Sequence, residues 1–144
     1  MNDLPFNQND NPRLGDPWRS IVNLFHNKAA AVPAAFAIEF YAYGSSQPET
    51  LTYAELNSRA NQLAHHLIAL GIGPDQFVGI SLPRSLDLPI AVLAVLKTGA
   101  AYVPIDPNYP AKRITFMLED AQPNLILTHT SINQDFGKHS FALA

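Results

Sequence analysis

Cysteine is absent from the 144 residues, which rules out a disulfide framework, a thiolate zinc site and a cysteine nucleophile. Charge is sparse, at 15% of residues, and the formal net charge of -3 carries no basic excess. A nucleic-acid binder would show a basic patch or stripe, so that class of partner is not expected. No basic start followed by an apolar core marks a signal peptide. Long apolar runs are also missing. The two longest, residues 29–38 and 88–96, each contain a proline and are too short to span a bilayer. Hydrophobic residues nevertheless make up 47% of the chain, enough for a globular core. The balance fits a protein of the reducing cytoplasm with no membrane partner.

What is present is strongly patterned. Residues 1–17 are polar and rich in Asn, Asp and Pro, and are read as a disordered leader. Apolar residues at 18, 21, 22 and 25 give helical spacing. Residues 34–43 and 49–53 are β-prone and flank Gly44-Ser45-Ser46-Gln47-Pro48, which predicts a hairpin with a loose loop. Thr52 and Glu55 then form a T-x-x-E capping box. Tyr53, Leu56, Ala60, Leu63, Leu67 and Leu70 lay one apolar stripe along the helix it opens, and Gly71 supplies a left-handed end.

Two βα repeats follow. Residues 77–82 read as a strand, and residues 88–97 as a nearly continuous apolar helix ended by Gly99. Pro89 must lie in the first turn of that helix, capped by either Ser85 or Asp87. Residues 102–105 read as a short strand of the buried type, and Asp106-Pro107-Asn108 as a turn. Pro110 opens a helix to Asp120 with Ile114, Met117, Leu118 and Ala121 inward, and residues 125–128 are the next strand. Apolar strands alternating with helices predict an α/β fold: a parallel sheet with βα repeats after an N-terminal hairpin. Beyond Thr130 the pattern fades, so residues 18–130 are taken as a partial domain and 131–144 as a tail.

Reactive constellations do not emerge from spacing. No GxxxxGK[ST] loop exists, and the one G-x-G, Gly71-Ile72-Gly73, follows a helix where a dinucleotide fingerprint needs a strand. Gly79-Ile80-Ser81-Leu82-Pro83 has proline where a nucleophile elbow needs its second glycine, so Ser81 reads as a strand-end serine. His65 and His66 are adjacent and diverge on a helix, while His26, His129 and His139 lack a partner at ligand spacing. Glu119-Asp120 sit beside one helix end rather than across a cleft. Lys97 complements a helix dipole, and Asp106 caps its own turn. No catalytic, cofactor-binding or metal-ligating residue is assigned.

Two stretches carry more information. Leu51-Thr52-Tyr53-Ala54-Glu55-Leu56, continued by Asn57-Ser58-Arg59-Ala60-Asn61-Gln62-Leu63-Ala64, resembles the first core motif of nonribosomal peptide synthetase adenylation domains. Leu96-Lys97-Thr98-Gly99-Ala100-Ala101-Tyr102-Val103-Pro104-Ile105-Asp106-Pro107 resembles the second. Tyr109-Pro110, Arg113 and Phe116-Met117-Leu118-Glu119-Asp120 are similar to the same family, and the resemblance runs from about Ile21 to Thr130. Thr98, Pro83 and the long loop at residues 44–48 depart from its usual pattern. The run from Ala101 to Pro110 favours this amino-acid branch over an acyl-CoA synthetase-type fragment of the same superfamily.

The resemblance implies the N-terminal portion of the adenylate-forming fold. It also implies a reaction of the complete domain, an AMP-forming ligase of secondary metabolite biosynthesis. ATP and an amino acid give an aminoacyl-adenylate and pyrophosphate, with Mg²⁺ on the phosphates, before transfer to a carrier-protein thiol. The family's TSGSTG-type phosphate loop, ribose-binding segment, specificity pocket and adenylate-contacting lysine have no counterpart here. The chain alone is therefore expected to be inactive and to hold no ATP or Mg²⁺. Its expected partners are the remainder of a split synthetase or a carrier protein. The alternative is a non-catalytic interaction module pairing with a synthetase. A start at Met1 with a short leader further suggests that no condensation domain precedes it.

Overall fold

In a computed structural model of the chain, residues 20–132, 136 and 140–143 are described. The leader expected at residues 1–17 lies outside them. The first element, helix α1 (Ile21–Ala31), begins where Ser20 Oγ accepts from the Asn23 amide at 3.1 Å. It runs farther than the spacing predicts, and Ala29 is its one fully buried residue. The hairpin follows as strands β1 (Phe36–Phe40) and β2 (Glu49–Thr52), antiparallel, with a break in register between Phe36 and Ile38. Ser45 organises its loop, donating to the Gln47 carbonyl at 2.8 Å.

Helix α2 (Tyr53–Ala69) is specified at both ends. At its start, Glu55 Oε2 accepts from the Thr52 amide at 2.8 Å and the Glu55 amide donates to Thr52 Oγ1 at 3.2 Å. Both orphan donors of the first turn are thereby satisfied reciprocally. At its end, Gly71 takes φ +88°, its amide donates to the Ile68 carbonyl at 2.9 Å, and the Ile72 amide reaches back to Leu67 at 3.0 Å. This is a Schellman ending, sealed by the buried side chains of Leu67 and Ile72.

The sheet is built from β3 (Phe77–Ile80), β4 (Ala101–Pro104), β5 (Leu125–His129) and β6 (Ser140–Leu143). Its order is β4-β3-β5-β6 and every pairing is parallel. Helix α3 (Asp87–Thr98) links β3 to β4, and α4 (Ala111–Ala121) links β4 to β5. Val78, Ile80 and Leu127 on one face meet Ala64 and Leu67 of α2 and Ala91, Ala94 and Val95 of α3. A smaller cluster of Leu51, Leu56 and Ile90 seals the hairpin and α1 against these helices. On the other face, a Cβ at Gly79 would lie 3.1 Å from both Ile105 Cδ1 and Ile126 Cγ1.

Two expectations are corrected. The strand expected to be of the buried type, β4, is an edge strand whose Ala101, Tyr102 and Pro104 are exposed, because among the described residues the sheet order leaves it with β3 as its one partner. Residues 140–143, expected within a tail, form β6, with Phe141 and Leu143 against the core. The strongly apolar helix α3 is covered. Every residue from Leu88 to Thr98 is buried or half-buried, since α3 lies between α2 and the sheet.

Candidate functional site

Ligands of open parallel sheets bind outside the carboxyl ends of the strands, where successive connections leave in opposite directions. Here β3 connects to β4 on one side, and the chain then crosses to β5 on the other. At that edge lies a cleft of about 380 Å³, lined by Ile80 and Leu82 after β3 and by the loop from Pro104 to Tyr109 after β4. Its polar groups are few. Asp106 Oδ1 accepts from the Asn108 amide at 2.9 Å and from Asn108 Nδ2 at 3.0 Å, so the carboxylate closes its own turn. Arg84 also lines the cleft, and Arg113, outside the lining, stacks on Tyr109 with its guanidinium carbon 4.1 Å from the ring centroid.

Ser81 follows β3 and is fully buried, its amide continuing the ladder to the Leu127 carbonyl at 2.8 Å. Among the described residues its hydroxyl and that of the buried Thr128 have no hydrogen-bond partner. Among the described residues no base is hydrogen-bonded to Ser81 to activate it.

The described residues offer no cradle for a triphosphate. Such a loop needs glycines that leave a run of backbone amides free to meet phosphate oxygens. Gly71 is consumed by the end of α2. Gly99, at φ +86°, ends α3 with its amide donated to Leu96. Gly79 sits inside β3, crowded by Ile105 and Ile126. Among the described residues, no three His, Cys, Asp or Glu side chains converge as metal ligands.

The remaining singled-out residues are dispersed. His65 is exposed on α2. His66 lies 4.7 Å from the Phe141 ring, and His129 Nδ1 is 2.7 Å from Ser131 Oγ. Glu119 and Asp120 are exposed near the end of α4, and His139 lies outside the described residues. Ser85, not Asp87, assists the start of α3, accepting from the Asp87 amide at 3.3 Å.

Lys97 is the exception. Beyond facing the dipole of α3, it reaches across two other helices. Its ammonium donates to Asn57 Oδ1 of α2 at 2.9 Å and to His26 Nε2 of α1, and it lies 5.7 Å from the Phe25 ring centroid. Burial holds its pKa below the ordinary lysine range. Asn57 and His26 lie 40 and 71 positions away in sequence, so no local pattern announces this junction.

The two family-like motifs thus form a capped helix and a helix-to-strand junction, both parts of the framework. Comparisons with known proteins bear on the family of the chain. The family model described as AMP-binding enzyme matches residues 25–142. A dimodular nonribosomal peptide synthase of Bacillus subtilis is 50% identical over 114 residues, covering 79% of this chain and 4% of that protein. The N-terminal subdomain of Klebsiella oxytoca NpsA superposes with a TM-score of 0.74 at 25% identity, over 85% of this chain and 31% of that one. A four-domain nonribosomal peptide synthetase bound to AMP and glycine superposes with a TM-score of 0.61 at 38% identity, over 65% of this chain and 7% of that one. The chain spans a small part of each of these proteins. With the motifs, the hairpin and the parallel sheet all in place, the chain belongs to the AMP-binding enzyme family and corresponds to the N-terminal part of a nonribosomal peptide synthetase adenylation domain.

Proposed function

We propose that this chain supplies the N-terminal framework of an amino-acid-adenylating unit in cytoplasmic nonribosomal peptide synthesis, and that the 144 residues by themselves form no adenylate. The complete unit would join an amino acid to AMP at the expense of ATP, with Mg²⁺, and pass the acyl group to a carrier-protein thiol. The observation that carries this reading is the use made of Leu51–Leu56 and Leu96–Pro107. Within them Thr52 and Glu55 are spent on a helix cap, Gly99 on a helix end and Asp106 on a turn. The glycines at 71, 79 and 99 are likewise taken up by helix ends and sheet packing, so they build no phosphate site among the described residues, and no step of the reaction is assigned to them.

The test is amino-acid-dependent pyrophosphate exchange. The purified chain is expected to give none with any of the proteinogenic amino acids. Adding a polypeptide that carries the later part of a related adenylation domain should restore exchange if the chain acts as one half of a split enzyme. Exchange by the chain alone would overturn the proposal.

A further inference from the structure

Between α1 and α2 lies an open cleft of about 650 Å³, separate from the carboxyl edge of the sheet. Its polar lining is His26, Asn27, Asn57, Ser58 and Asn61, with small alanines from both helices as its floor. Every one of these polar groups is neutral or basic. Lys97 stands behind the cleft, bonded to His26 and Asn57, which line it. An ammonium can only donate, so His26 must accept at Nε2 and carry its proton on Nδ1. Two of the three ammonium protons have partners, and neither partner carries negative charge.

A partly buried charge is ordinarily paired. Among the described residues no carboxylate pairs with Lys97, and the pKa of the ammonium is lowered by burial with no charge to offset it. Among the described residues the cation is therefore uncompensated, and it stands one side chain behind an open cleft whose amide and hydroxyl groups can each donate to an anion. One cation among neutral donors matches a single negative charge. Nothing here offers the paired guanidinium groups or the free helix N-terminus that a phosphate dianion favours, since the amides at the start of α2 are already capped.

We infer that the α1–α2 cleft is a carboxylate-binding site, in which Lys97 supplies the charge and Asn57, Ser58 and Asn61 supply hydrogen bonds. The ligand is a monoanionic carboxylate, either a small free acid or an Asp or Glu side chain of a protein partner. The site lies apart from the proposed adenylation role and does not depend on it.

The test uses the ¹⁵N-labelled full chain in ¹H–¹⁵N NMR titrations with sodium acetate, against sodium chloride at equal ionic strength. Acetate is expected to shift the side-chain amides of Asn57 and Asn61 saturably, and chloride is not. Lys97→Met should weaken acetate binding by about tenfold or more, while Lys97→Arg retains most of it. Asn61→Ala, in a helix that tolerates alanine and without a bond to Lys97, should weaken it about threefold and guards against a misfolded Lys97 variant. A blocked tripeptide with a central aspartate then separates the two sources. Binding about tenfold tighter than acetate points to a protein side chain, and equal binding to a small free acid. Equal shifts with chloride, unchanged affinity in both the Lys97→Met and Asn61→Ala chains, or inorganic phosphate binding about tenfold tighter than acetate would each overturn the inference.

Discussion

Thr52 and Glu55 show how much a single pair of side chains can specify. Each accepts from the other's backbone amide, which starts α2 at one defined residue. Thr52→Ala is expected to cost about 1 kcal/mol, measured as the shift in urea unfolding free energy. The Glu55 carboxyl is held below the ordinary range, first by the hydrogen bond from the Thr52 amide and then by the Thr52 hydroxyl. Its folded pKa lies below its unfolded one, so the contribution to stability is complete above the unfolded value near 4.5 and is lost as pH falls through the folded value. Glu55→Gln should therefore flatten this acid-side slope in a plot of melting temperature against pH. The cap was legible in the sequence because its partners are three residues apart. The junction of Lys97 with His26 and Asn57 was not, because a side chain reaching two other helices leaves no periodic trace.

At the level of elements, helices α2 and α3 were legible almost to their ends, and the reason is local hydrogen bonding. Gly99 both ends α3 and packs against the loop before β3. A Cβ there would sit 3.1 Å from Pro74 Cγ while the backbone holds φ +86°. Gly99→Ala should lower unfolding free energy by about 1–2 kcal/mol from the left-handed backbone alone, and the crowding against the Pro74 ring adds to that. Leu67 is fully buried at the meeting of α2, α3 and the sheet. Leu67→Ala should cost about 2–5 kcal/mol in the same unfolding measurement. Strands were less legible than helices. The composition of β4 suits a central strand, yet it lies at the edge, and β6 is a four-residue segment with too little pattern to separate it from a tail.

For the whole molecule, the sheet order decides what remains open. Among the described residues strand β4 offers an unpaired edge carrying Tyr102 at 41% exposure, and Phe116 on α4 stands 68% exposed. Exposed edges and apolar patches favour association. Sedimentation velocity should show concentration-dependent oligomers, reduced by Tyr102→Lys, which places charge on that edge. A strictly monomeric chain at all concentrations would refute this. The sequence by itself determined the helices, the hairpin, the parallel α/β class and the family, because capping, periodicity and motifs act over a few neighbouring residues. Only the tertiary structure decided which strands lie at the edges, that residues 140–143 extend the sheet, and that Lys97 meets Asn57 and His26 behind a cleft with no counter-charge among the described residues. Strand order and charge pairing depend on residues far apart in the chain, and their free energy exists only once those residues meet.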